Sequence, residues 1–228
     1  MNISSHWSSC GTDAHVIRRL MSYVSLRVRC KQYEYFIQLI RPGKNDSILD
    51  VGVSPNMRLH DTNFFEKQYP YKKRVTIASI ENCQHIAKQF GLKRFVRIRE
   101  DGKIPVADHS FDCVVSWATL EHTGNRISQY TFLQELCRVG KHVFVTTPDR
   151  LAIYEPHTTF FFLHWLPLPL FRRVARFLGK PFWAQEKNLN PLTFHEAQEL
   201  AGRLGLTVMQ WKICGVLPSH LIFYRQVI

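Results

Sequence analysis

The chain has 228 residues, 45% of them hydrophobic and 13% aromatic, which is ample for one sizeable core and short for two domains. Its net charge of +12 points to an anionic partner or to a merely solvated basic surface, but the basic residues are scattered (Arg18 and Arg19, Lys72 to Arg74, Arg172, Arg173 and Arg176), unlike a nucleic-acid-binding arm. Six cysteines without a C-x-x-C pair argue against disulfide and zinc frameworks; without a signal-peptide core or eighteen consecutive apolar residues, a cytoplasmic, reducing compartment is expected.

Residues 14–40 are basic and amphipathic and predict a lead-in helix or helix pair, stopped at Pro42 and Gly43. Short apolar strands then alternate with helical segments. Strands are predicted at 47–53 (SILDVGV), 74–80 (RVTIASI), 94–99, 111–117 (FDCVVSW) and 142–147 (HVFVTT). Helices are predicted around 63–68, over 82–90 before Gly91, and over 128–139 before Gly140. This alternation predicts a parallel sheet covered on both faces. Thr193 and Glu196 form a capping box that opens another helix. Residues 206–213 and 221–227 then read as strands joined by a short loop containing Gly215 and Pro218. Strands that close must pair antiparallel, because a parallel pair needs a crossover of about a dozen residues. The expected fold is therefore doubly wound α/β, with a mostly parallel seven-stranded sheet ending in an antiparallel hairpin. Residues 1–45 form the expected lead-in and 46–228 the main domain, with an insertion at about 150–192.

The run ILDVGVSPN at 48–56 ends an apolar strand in an acid and a glycine, where doubly wound sheets place their ligands. With EDGKIPVADHSFDCVVSWATLEH (100–122) and ELCRVGKHVFVTTPDR (135–150), in this order, residues 46–148 resemble the class I S-adenosylmethionine-dependent methyltransferases, especially those acting on small molecules and lipids. The resemblance implies S-adenosylmethionine as cofactor. Asp50 and Gly52 would line its methionine part, Glu81 would accept both ribose hydroxyls, and Asp101 the adenine amine. Gly102 would turn tightly beside the ring, and Trp117 and Ala118 would face the methyl group. Two features depart from the family pattern. The glycine-rich motif is reduced to Gly52-Val53-Ser54-Pro55, and the acid at the tip of the second strand is Ser79, with Glu81 two residues on.

The sulfonium already activates the methyl group, so the protein must mainly align a nucleophile and remove its proton. His122, beside Glu121, is the catalytic candidate; a loop-shaping role for the pair competes with it. His157 and His164 rank lower, and His195 sits at a helix start. No metal site is expected. The acceptor is expected to be a small or lipid-linked molecule carrying a hydroxyl. The alternatives are a non-catalytic scaffold of the same fold and an RNA methyltransferase, the latter motivated by charge alone; nucleic acid is disfavoured. The stretch 160–180 (FFFLHWLPLPLFRRVARFLGK) is expected to touch the acceptor or an anionic membrane surface, or else to cover the sheet.

Overall fold

The computed structural model describes residues 12–57, 61–155 and 157–227, with side chains from residue 21 onward; Cys10 and the basic pair Arg18 and Arg19 lie outside these limits. One helix, α1 (Thr12–Ile40), precedes the sheet. It is continuous: the alternation of Val24, Leu26 and Val28, which imitates a strand, does not interrupt it.

The strands are β1 (Ile48–Val51), β2 (Val75–Ser79), β3 (Arg94–Arg97), β4 (Phe111–Trp117), β5 (Gly140–Pro148), β8 (Thr207–Ile213) and β9 (Leu217–Arg225), and they form one sheet in the order β3-β2-β1-β4-β5-β9-β8. The first five run parallel, and β9 pairs antiparallel with both β5 and β8. The helices α2 (Phe64–Gln68), α3 (Gln84–Gln89), α4 (Arg126–Val139), α5 (Leu168–Phe177) and α6 (Phe194–Gly202) follow in chain order, and a two-stranded ribbon, β6 (Tyr154–Glu155) with β7 (Phe160–Phe161), stands apart from the sheet. Thr193 caps α6 through the complete capping box. The final turn is tighter than its glycine and proline suggest. Pro218 lies inside β9, opposite Lys212 at an irregularity in the ladder, and the exposed Cys214 takes the left-handed conformation in the turn itself.

Alternation along the strands divides the core between two faces. Leu49, Val51, Val114, Val143 and Val145 pack with α4 and α6. Ile48, Ile77, Val115, Trp117 and Phe144 pack with Phe36 and Ile40 of α1, Phe64 and Phe65 of α2, and Ile86 of α3. A third, smaller cluster gathers Phe171 and Ala175 of α5 with Trp183, Ala184 and Leu189, so the inner face of α5 covers its own insertion. Arg138 at the end of α4 fixes the loop before β4. It donates to the carbonyls of Ile104 and Val106 (both 3.0 Å) and pairs with Glu135 and Asp108.

Candidate active site

The strand order reverses between β1 and β4, and a cleft of about 1580 Å³ opens beyond the carboxyl ends of these strands and their neighbours. It exceeds the roughly 300–1,000 Å³ usual for a single small ligand, so two can lie side by side. One end is bounded by Gly52, Glu81, Gly102 and Ala118, the other by His122, Tyr154, His157 and His220; residues of α1, among them Arg29, close one side.

At the first end, Gly52 has φ +99 and donates its N–H to the Ala78 carbonyl at 2.9 Å. A Cβ there would lie 2.0 Å from Thr119 Oγ1, so glycine is required by the close approach of Thr119. Gly102, at φ +80, has no atom within 4 Å of its would-be Cβ, and its turn therefore presents bare main chain to the cleft. Ala118 has a φ of +52 that few non-glycine residues adopt, held by its N–H bond to the Thr146 carbonyl at 2.8 Å. Glu81 is half-buried; burial raises its pKa, and its carboxylate accepts no hydrogen bond among the described residues. A diol would find there the two acceptor oxygens it needs. The bare turn, the open carboxylate and the room fit a nucleoside-bearing cofactor.

Three residues stand differently from the expectation. Asp50 does not line the cleft. It shares a strand face with Ile48, so its carboxyl points toward α1 and α2 and borders a void of about 30 Å³ with Arg29 and Glu66. Burial, and then Glu66, push its pKa well above the usual carboxylate range against the pull of Arg29. Trp117 packs its ring among Phe64 (4.8 Å), Phe144 (5.4 Å) and Phe65 (5.9 Å), although the residue also borders the cleft. Asp101 is exposed at the rim, with one oxygen accepting from the Lys103 N–H at 3.1 Å and the other paired with Arg99 at 3.0 Å.

The far end is built from elements distant in sequence. His122 closes a 3-10 turn (Leu120–His122) after β4, and His157 follows the ribbon strand β6. Their Nε2 atoms are 3.0 Å apart. His122 Nδ1 faces the Asn188 carbonyl at 2.7 Å, and His157 Nδ1 faces Glu155 Oε1 at 2.6 Å. Burial, and then the His157 charge, lower the His122 pKa. Burial acts to lower that of His157 too, but Glu155 outweighs it and the net shift is upward. Burial alone would raise the Glu155 pKa; His157 and Thr158 reverse this and hold it to about 2. Glu121 lies beneath, with one oxygen accepting from Thr147 Oγ1 at 2.8 Å. Trp183 packs against both imidazoles. Of the lesser histidine candidates, His164 is buried with Nε2 on the Ala152 carbonyl, and His195 is on the surface beside Glu199. Glu155, Asn188, Trp183 and Arg29 escape sequence reasoning, since none carries a local signal.

Residues 63–143 match the family model of the methyltransferase domain. The fold is similar to a protein from Pyrococcus horikoshii OT3 (16% identity, 88% of this chain and 91% of that one, TM-score 0.55). It is also similar to the YcgJ protein of Bacillus subtilis (12%, 84% and 93%, 0.51) and to a SAM-dependent methyltransferase of Aquifex aeolicus (16%, 84% and 87%, 0.50). No curated protein matches the chain. At these identities the structural likeness speaks for the fold alone, and the domain match speaks for residues 63–143. With this strand order and a cleft at its reversal, the chain has the fold of S-adenosylmethionine-dependent methyltransferases, and its residues 63–143 match the methyltransferase domain.

Proposed function

We propose that the chain transfers the methyl group of S-adenosylmethionine to a hydroxyl oxygen of a small or lipid-linked acceptor. The observation that carries this reading is that the cleft lined by Gly52, Glu81 and Ala118 is lined also by Ile153, Tyr154, Leu217 and the His122–His157 pair. In this reading Gly52, Glu81, Gly102 and Ala118 border the cofactor, with Asp101 at the rim and Asp50 and Trp117 supporting from behind. The bound cofactor supplies a methyl group activated by its sulfonium. The chain's own work is to align the hydroxyl and accept its proton, for which the imidazole pair is placed. A methyl-labelled cofactor incubated with protein and a cell extract should deliver label to the organic-soluble fraction. His122→Ala should lower that transfer by about 10²–10⁴-fold, the usual contribution of a positioned base. Label confined to RNA or protein would overturn the acceptor class.

Peripheral membrane contact belongs to the same reading. Tyr154 lines the cleft while its ring neighbour Phe161, at 5.0 Å, is exposed together with Phe162, Trp165 and Phe177. Arg173 and Arg176 are exposed beside them, whereas Arg172 is held by Glu186 and Asn190. No helix among the described residues is long and apolar enough to cross a membrane. The protein is expected to sediment with anionic vesicles at low salt. Each free arginine contributes about 1 kcal/mol near such a surface, so replacing both by glutamine should weaken binding about 30-fold without lowering Tm. Equal sedimentation of the variant would refute the electrostatic contact.

A further inference from the structure

We propose that Glu121, His122 and His157 form a binding site for one divalent transition-metal ion of the zinc class, open toward the acceptor end of the cleft. The ligand atoms (one carboxylate oxygen and two imidazole nitrogens) all lie within 4.8 Å of one another. His122 Nε2 is 3.0 Å from His157 Nε2 and 3.8 Å from Glu121 Oε1. Tetrahedral zinc, with bonds of about 2.0–2.2 Å, needs neighbouring ligand atoms about 3.4 Å apart. Those two separations differ from this by about 0.4 Å each, and the third, between Glu121 and His157, is at most 4.8 Å, so the Glu121 side chain has to move in toward the imidazoles on binding.

The hydrogen bonds behind the cluster set the chemistry of its front. Each Nδ1 faces an acceptor, the Asn188 carbonyl for His122 and the Glu155 carboxylate for His157, so each Nδ1 carries a proton. The two Nε2 atoms, 3.0 Å apart, can share at most one proton, which a bound metal ion would displace. Glu121 turns one oxygen to Thr147, while Oε1 is fully buried and has no hydrogen-bond donor among the described residues. A metal ion in place of that proton would also give the buried Glu121 Oε1 a partner. Backing of each ligand by a carbonyl, a carboxylate or a hydroxyl is the arrangement that orients metal ligands. The Trp183 ring, 4.9 Å from that of His157 and 5.9 Å from that of His122, shields the site on one side. Imidazole ligands favour zinc and its neighbours over magnesium, which prefers oxygen alone.

His122 and His157 also line the cleft. A fourth position would therefore face the acceptor, as in zinc sites that keep one place for a reacting oxygen. This inference rests on the hydroxyl-acceptor reading only for the role of that fourth position; the site itself stands on the cluster. A metal held there would acidify a hydroxyl at the fourth position, whose proton would leave to water in the open cleft, and the imidazoles would then serve as ligands in place of the base.

The test uses the full chain stripped with a chelator and titrated with zinc and, separately, magnesium. One zinc per chain should survive gel filtration, and magnesium should not compete. Cobalt(II) in its place should give the visible bands of a low-coordinate ion. Glu121→Gln and His157→Ala should each weaken zinc binding more than 100-fold, and Glu155→Gln, acting through His157, about 10–100-fold. Melting curves verify that each variant is folded. His195→Ala, which alters the exposed His195–Glu199 pair, should leave the stoichiometry at one. Absence of stoichiometric zinc in the wild type, or its retention in both Glu121→Gln and His157→Ala, would overturn the site. Methyl transfer to the organic-soluble fraction is measured on the same preparation. Transfer without zinc binding removes the metal alone, and zinc binding without transfer removes the acceptor reading alone.

Discussion

Replacing Gly52 by valine should lower the unfolding free energy by about 2–6 kcal/mol and abolish binding of S-adenosylhomocysteine. Two costs add. A β-branched residue at φ +99 carries backbone strain of about 1–3 kcal/mol, and a Cβ placed 2.0 Å from Thr119 Oγ1 and 2.5 Å from its Cγ2 forces overpacking worth a similar amount. The displaced loop borders the cleft, so binding is lost along with stability. The space a side chain would need is held by Thr119 and not by the ligand. A double-mutant cycle separates the two costs: adding Thr119→Gly should recover the packing part and leave the backbone part. Denaturant unfolding of the four proteins measures both. A valine variant as stable as the wild type, or zero coupling between the sites, would show that the close approach does not exist.

Acid should destabilise the protein through His220. Burial in the cleft wall, and then the charge of Arg29, lower its pKa to about 3 from an ordinary value of 6.5. Its Nδ1 lies 2.8 Å from Ser219 Oγ. A folded-state pKa below the unfolded one means that the unfolded chain binds the proton more readily. The stabilising contribution is therefore complete above pH 6.5 and is lost as pH falls toward 3. At about 1.4 kcal/mol per unit the full span is about 5 kcal/mol, an upper bound that contact with the open cleft reduces to about 2–5. Asp50 and Glu66, whose pKa values burial raises, act in the opposite sense over their own titration. The measurement is therefore a difference: unfolding free energies of wild type and His220→Phe at several pH values. The wild type should lose ground against the variant as pH drops below 6.5. A difference independent of pH would refute the shift.

The sheet was legible because its strands are short apolar runs bounded by glycine, proline and polar turns, and because the two last runs are too close to pair in parallel. The capping box at Thr193 fixed the start of α6 for the same local reason. What local pattern cannot carry is the direction of a side chain in a strand buried on both faces. All of β1 is buried, so apolarity does not reveal that Asp50 turns toward α2 and away from the cleft. Trp117 poses the same problem at the end of β4, where parity sends it to the aromatic face. The Glu121–His122–His157 cluster was illegible because its ligands are separated by 35 positions and are joined by a ribbon with two residues in each strand. Only the tertiary path brings them together. Glu121 and His122 carried the one usable hint, a polar pair directly after the most motif-like strand.

The position of Arg29 gives α1 a meaning beyond packing. Its guanidinium lies 3.8 Å from Asp61 and above the Phe64 ring, and it borders both the cleft and the void behind Asp50. Phe36, seven residues further along the same helix, is fully buried against Phe65, Trp117 and Phe144. A fragment cut near residue 45 would therefore strip one wall from the ligand chamber and open the aromatic face of the sheet to water. The helix that looks like a preface in the sequence is, in three dimensions, part of the vessel that holds the reaction.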